Sequence, residues 1–457
     1  MRVLGLASRH PWIRRVCCIL LFPLPLLGLN GCTNVVTVIP QVVSAGPTPQ
    51  TMWVAVWTAN AQNATSSSQD PGGSEQSFRF IVLPTTDATQ ERVHFSNRLG
   101  TTSVTIGAAR LAVAVDVGPA IDPKRDAALT FSGATSITLA PGQEIVSDPV
   151  NVSYNFGEKL AVSMYMKGSF PSLTEHASDV QFNFQNASGA GNATSDTSGA
   201  SMGTVMTDWL LLSGIDAYGS YQGSVAIFGS SSVDGHASNY GNSNSYPTAN
   251  VAITSQDNDR PSDWLARQMR AAGYRVGVSN AGLLGNAAAG TGGGVDRMQH
   301  DVLGVINLKT VIIYFGGIDL RGNCVQATDV ESSLSNMVQQ ANAAGIRVIL
   351  ATIPPSEYCT TTPGLVPTTE QPYLGDLIPG PENPGSTQRR AVNDWIRSTA
   401  VSLPGVVGVA DFDKALADPN HPDFMIPNLN SGDNFHPNGV GYGVQSSSIP
   451  LDKILGQ

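Results

Sequence analysis

The sequence predicts two unlike halves, an N-terminal antiparallel β-sandwich and a C-terminal doubly wound α/β domain. Three observations carry that expectation. Short apolar runs recur roughly every 8–20 residues up to Leu212, with Gly, Pro, Asn and Asp between them and no helical period of comparable strength. From Val225 onward, apolar strands alternate with helical stretches. The chain of 457 residues, enough for two or three domains, is 41% hydrophobic but only 13% charged, with 47 glycines, a balance that suits a secreted protein containing β structure. Its net charge of −10, with no basic run outside the N-terminus, argues against a nucleic-acid binder, which needs basic patches.

Arg2, Arg9, Arg14 and Arg15 precede an apolar run from Val16 to Leu29 that is too short to span a membrane. Residues 1–31 therefore read as a secretory signal. Leu29-Asn30-Gly31-Cys32 resembles a bacterial lipobox, which implies a lipid anchor on Cys32 as the first mature residue; ordinary signal cleavage is the alternative. Thr33 rather than Asp follows, so the expected location is the outer membrane or periplasm. Residues 32–50 hold three prolines and no periodic pattern and read as a tether. Signal removal takes Cys17 and Cys18 with it. With Cys32 acylated, Cys324 and Cys359 remain as an even pair in an oxidising compartment, either disulfide-bonded or two free thiols; the bond is the expectation.

Residues 51–216 carry the strand-like runs of the sandwich: Trp53–Trp57, Phe78–Val82, Arg92–Phe95, Ser103–Ile106, Arg110–Val115, Leu129–Phe131, Ser136–Leu139, Leu160–Met166, Val180–Phe184 and Trp209–Leu212. Residues 186–203 are nearly all small or polar and hold Gly199-Ala200-Ser201-Met202-Gly203, which fits a G-x-S-x-G nucleophile elbow. That elbow needs a strand before it and a helix after it, and neither is legible here, so Ser201 reads as a loop residue.

Residues 217–457 form the second half. Val225–Phe228 is a buried strand broken by Gly229, followed by Ser230-Ser231-Ser232 and the turn residues Asp234-Gly235. Pro261 suits the first turn of a helix running to Ala272, and Gly273 its stop. Val276–Val278 is a strand and Val295–Leu303 a helix candidate. Thr310–Phe315 is a central strand, apolar on both faces as parallel strands are. Thr328–Ala344 is a helix with Thr328 and Glu331 as a capping box. Strand Arg347–Thr352, helix Thr387–Ala400 and strand Val406–Ala410 complete the alternation.

In such a sheet the loops after the strands gather at one edge. That edge would hold Ser231, Gly282, Gly316–Asp319, Asp433 and His436. A serine hydroxyl needs a base, and a carboxylate fixes the tautomer of that base. Asp433 and His436 are three apart, so one turn of chain can aim both side chains at one point.

Four blocks here occur in the order of a known family. Gly229–Gly235, Asn280-Ala281-Gly282, Gly316-Gly317-Ile318-Asp319 and Asp433-Asn434-Phe435-His436 give the C-terminal half a resemblance to the SGNH, or GDSL-type, hydrolases, and the upstream half resembles the β-rich region of a two-domain bacterial subset. The resemblance implies a flavodoxin-like α/β fold and a serine esterase. In it Ser231 is the nucleophile, His436 the base and Asp433 its orienter, with the Ser231 and Gly282 N–H groups in the oxyanion hole. Two positions depart from the family. Ser230 stands where the family has Asp. Ile318 stands where the family has the Asn that completes the hole, and Ile donates no hydrogen bond; Asn323 is a candidate substitute. The expected substrates are short acyl esters, O-acetyl groups on a polysaccharide foremost, with lysophospholipids as a rival class. A surface carbohydrate-binding protein with weakened catalysis is the alternative from another class. The seven histidines are scattered without ligand spacing, so no metal or organic cofactor is implied.

Overall fold

The β-branched and aromatic residues of the N-terminal half fit pleated strands with one buried face. The computed structural model describes residues 46–456, except 65–66, 178–179, 239–257, 324, 357–383 and 434. The signal segment, Cys32 and the pair Cys324 and Cys359 lie outside the described residues.

One antiparallel sheet runs in the order Gln50–Thr58, Leu212–Tyr221, Glu91–Ser96, Glu144–Val146. A larger one is built around Gly73–Val82, Leu160–Phe170 and Val104–Ala114. Val54, Val93 and Ile215 of the first sheet share a core with Phe78, Leu111 and Val162 of the second. The rings of Trp57 and Trp209 meet edge-on in it at 5.3 Å. Leu211 sits at φ 57, a left-handed kink that splits the expected run into Trp209–Leu210, paired with Glu175–His176, and the long strand Leu212–Tyr221. The small-residue stretch after Asn186 folds back on the outer sheet face. There Met202 packs with Ile81, Ala161 and Phe184, and the buried Arg79 donates to the Thr194 carbonyl at 3.1 Å. Ser201 is exposed there, and its N–H donates to Asp196 at 2.9 Å.

The C-terminal half is a five-stranded parallel sheet in the spatial order Val276–Gly282, Gly223–Gly229, Leu308–Tyr314, Arg347–Ala351, Val406–Ala410. The chain order therefore reverses beside Gly223–Gly229, which makes its C-terminal end the place where such sheets bind ligands. Helices Ala327–Ala343 and Pro384–Ser398 cover one face, through Leu334, Met337, Val392 and Ile396. Pro261–Ala271 and Leu451–Ile454 cover the other, through Leu265, Met269, Leu451 and Ile454.

Three local expectations change. The helix expected at Val295–Leu303 is one α turn, Gly294–Arg297, followed by a π turn, Met298–Val302, whose Leu303 N–H reaches back to the Met298 carbonyl at 3.0 Å. The long helix begins at Ala327, and Asp329, not Glu331, accepts the N–H of the residue before it, Gln326, at 3.1 Å. The serine run is a helical turn, Ser231–Asp234, rather than an open loop.

The sandwich lies along the edge strand of the parallel sheet. Ala55 N–H donates to Ser224 Oγ at 3.0 Å, Thr58 Oγ1 donates to the Asn280 carbonyl at 2.7 Å, and Thr85 Oγ1 accepts the Val278 N–H at 2.8 Å. The Thr58 and Thr85 bonds occupy an edge that would otherwise offer unpaired donors and acceptors, while Ala55 reaches the next strand at Ser224. Gly277 permits the approach, since a Cβ there would lie 2.1 Å from the Ala55 carbonyl oxygen. The two sheet systems pack as one compact unit.

Candidate active site

At Gly229 the buried strand must leave the sheet, and a Cβ there would lie 2.3 Å from the Tyr314 carbonyl oxygen. The chain passes through extended Ser230 (φ −99°, ψ −151°) into the turn Ser231–Asp234. Gly235, left-handed at φ 95°, closes it with an N–H to the Ser231 carbonyl at 2.9 Å. Within that turn the Ser230 carbonyl takes the N–H groups of Val233 and Asp234, leaving those of Ser231 and Ser232 unused by it. Asn280 holds the turn from the neighbouring strand by donating to the Val233 carbonyl at 2.7 Å and to Ser262 Oγ at 3.0 Å.

The last loop brings the base. Ser431 N–H donates to the His436 carbonyl at 3.0 Å, closing a tight loop around Asp433. Asp433 Oδ1 accepts from the Ser431 hydroxyl at 2.9 Å and from the N–H groups of Phe435 and His436 at 2.9 and 2.8 Å. Its Oδ2 accepts the Nδ1–H of His436. The other ring nitrogen, Nε2, lies 2.8 Å from Ser231 Oγ. Burial alone would raise the Asp433 carboxyl, but His436 and the backbone donors outweigh it and hold it far below the usual carboxylate range. Burial depresses His436, and its attraction to Asp433 only partly offsets this. The imidazole is thus neutral near pH 7, with Nδ1 protonated and Nε2 open to accept the serine proton. That arrangement can activate a hydroxyl and store its proton.

The oxyanion side is different. The N–H of Gly282, the expected second donor, donates to Asn280 Oδ1 at 2.9 Å. The need for glycine at 282 is steric, because a Cβ there would lie 2.1 Å from the Asp234 nitrogen. Ile318 sits in the short helix Gly317–Gly322, half-buried against the α/β core. Asn323 is exposed at the C-terminal end of that helix. Arg321 is one turn from Ile318 on the same helix. It stacks over the Phe435 ring at 4.5 Å, and its charge helps to hold His436 down.

Four side chains of the site were assigned no role from sequence. Asp319, buried, takes both its oxygens to the Ala288 N–H at 3.0 and 2.9 Å and so fixes the loop after Val276–Gly282; burial raises its carboxyl. Arg297 donates to the Ala281 carbonyl at 2.8 Å and to Asn286 at 2.7 Å, beneath the same loop. Asn280 and Asp319 both fall inside the motif blocks, which was the available signal. The fourth, His176, lies in the sandwich and carries no motif. Among the described residues, the group with the spacing to hold a metal is His236, Asp433 and His436, whose ligand atoms lie within 4.8 Å of one another. Both nitrogens of His436 already face Ser231 and Asp433, so a metal there would displace the Ser–His–Asp chain.

Residues 227–444 match the GDSL-like lipase/acylhydrolase family. None of the curated proteins matches the chain. Similar solved structures include a protein of the G-D-S-L family from Desulfitobacterium hafniense, at 19% identity over 49% of this chain and 96% of that one, with a TM-score of 0.33. The psychrotrophic esterase EstA from a Pseudoalteromonas species shares 16% identity over 51% and 96%, also with a TM-score of 0.33. A family two carbohydrate esterase from Clostridium thermocellum, in complex with cellohexaose, shares 10% identity over 86% and 96%, again at 0.33. With the family match spanning the serine turn and the Asp433–His436 loop, the C-terminal part of this chain belongs to the GDSL-like lipase/acylhydrolase, or SGNH, family.

Proposed function

We propose that the protein is an exported serine esterase acting on short acyl esters. The observation that carries this reading is the unbroken chain from Ser231 Oγ through His436 to Asp433 at the ligand-binding edge of the sheet. Ser231 Oγ attacks the ester carbonyl carbon while His436 Nε2 takes its proton. The tetrahedral intermediate collapses, and the leaving alcohol takes that proton from His436. Water then attacks the acyl-enzyme, gives a proton to His436 and releases the acid, and Ser231 recovers its hydrogen. The developing oxyanion faces the Ser231 N–H; Ile318 supplies no donor, so turnover is expected to be slower than an Asn at that position would allow.

O-acetyl groups on a polysaccharide are the proposed natural substrate class. The secretory and lipobox-like N-terminus supports this, because lipidation at Cys32 would hold the enzyme at the cell envelope, where such polymers lie. A Cys324–Cys359 disulfide would suit the same compartment. The test is hydrolysis of p-nitrophenyl acetate, and acetate release from an acetylated polysaccharide, by the wild type and by Ser231→Ala. The variant is expected to lose at least about 10³-fold in kcat/KM. A wild type no faster than Ser231→Ala on every ester would reject the esterase reading.

A further inference from the structure

We propose that His176, on the sandwich, is a positioning residue for the nucleophile. The proposal rests on the esterase reading of the site for its catalytic consequence. The turn that carries Ser231 is only four residues long, and its N-cap residue makes no side-chain capping bond. So short a turn does not hold its own geometry; neighbours must impose it. Asn280 supplies one hold, through the Val233 carbonyl. The other is at Asp234, three residues after the nucleophile on the same turn.

Asp234 and His176 are both buried, with side chains 3% and 4% exposed. His176 Nε2 lies 3.0 Å from Asp234 Oδ1, and His176 Nδ1 lies 2.8 Å from the Asn60 carbonyl oxygen. A carbonyl and a carboxylate oxygen can only accept, so both ring nitrogens donate and the ring is an imidazolium. The second oxygen of Asp234 makes no hydrogen bond among the described residues, which leaves His176 as the carboxylate's donor. Arg260 adds favourable charge, but its bonds go to Asp263. Without His176 a buried carboxylate would lose its hydrogen bond, and the turn above it would have reason to move.

His176 is itself well anchored. Its strand pairs with Trp209–Leu210, its ring lies 5.6 Å from that of Trp209, and the neighbouring Glu175 carbonyl accepts the Gln62 N–H at 2.9 Å. The sandwich therefore reaches under the nucleophile with a rigid, charged prop. Ser231 must meet His436 Nε2 in line, and a displacement of about 1 Å in such a site can lower turnover about 100-fold.

The test uses the full chain with His176→Ala and His176→Gln. Active sites are counted with a fluorophosphonate that labels the serine, and kcat per labelled site is compared with KM. His176→Ala is expected to lower kcat per site by about 10- to 100-fold with KM changed less than about 3-fold. His176→Gln, which can keep one of the two bonds, is expected to fall between it and the wild type. Hydrogen exchange supplies a readout independent of turnover. The amides of Val233 and Asp234 should exchange at least about 10-fold faster in His176→Ala, while those of helix Ala327–Ala343 keep their wild-type rates. Unchanged kcat per site together with unchanged exchange in the turn would overturn the proposal. So would a loss of activity explained wholly by fewer labelled sites. If His176→Ala does not fold, His176→Gln decides alone by the same two measurements, with no change in either counting against it. A wild type without activity on any ester defeats the esterase reading, and the exchange data still decide whether His176 holds the turn.

Discussion

The two sides of the site are built by different rules. The base side comes from six consecutive residues, Ser431 to His436, in which Asp433 is fixed by two backbone N–H groups and a hydroxyl of its own loop. The oxyanion side comes from three separate loops, after Gly229, after Gly282 and after Tyr314, tied together by Asn280, Asp319 and Arg297. A locally built arrangement keeps its geometry while distant parts change. A composite one can change at one loop without disturbing the others. On the base side Asp433 and His436 are linked in one hydrogen-bonded chain, and both departures from the family, Ser230 and Ile318, fall on the loops of the other side.

Ile318→Asn probes the contrast most strongly. It returns a side-chain donor to the composite side and leaves the base side untouched. Turnover of p-nitrophenyl acetate is expected to rise by about 10- to 1,000-fold with little change in KM. Thermal unfolding must show a folded variant, because an Asn without a partner in this half-buried position would cost about 1–3 kcal/mol. Unchanged turnover in a folded variant would mean that the composite side is already complete.

Gly282→Ala separates steric from hydrogen-bonding roles. The added methyl would press on the Asp234 nitrogen, so the serine turn or the strand beneath it must shift. A stability loss of about 1–3 kcal/mol and a turnover loss of about 10- to 100-fold are expected. Retained activity would show that the turn gives way without moving Ser231.

The smallest expected effect is on the pH profile. His436 acts only when neutral, so kcat/KM should be present above its pKa and fall as pH drops through it. Because burial depresses that pKa, the acid limb should lie below the ordinary imidazole value of about 6.5. Arg321, on the helix of Ile318, helps to depress it, so Arg321→Met should move the limb toward higher pH. An acid limb that stays in place would show that the two sides are electrostatically independent.

The parallel sheet was legible because its strands are continuous apolar runs between helical periods, and Ser231, Asp433 and His436, read from two of the four blocks, come together in the structure. Legibility failed where the structure turns on a contact rather than a pattern. Gly282 reads as a backbone donor in its block, yet what demands glycine there is the Asp234 backbone pressing from another element. The helix expected at Val295–Leu303 has the right apolar spacing but unwinds into a wider π turn, next to Arg297 and its bonds beneath the strand ends. His176 is far from Asp234 along the chain and sits in a two-residue strand, with no motif to mark it.

Gln222 is all that separates strand Leu212–Tyr221 from strand Gly223–Gly229. It is buried, and it exchanges hydrogen bonds with Arg275 through both backbone and side chain: its N–H donates to the Arg275 carbonyl at 2.8 Å, and its Oε1 accepts the Arg275 N–H at 2.8 Å. No slack exists there for a recombination event to exploit. A foreign sandwich spliced at this seam would arrive without the Ala55, Thr58 and Thr85 partners that cover the edge strand, and without the histidine beneath the serine turn. Gene shuffling at this boundary would yield few working chimeras, so wherever a relative carries both halves they are expected to be inherited together.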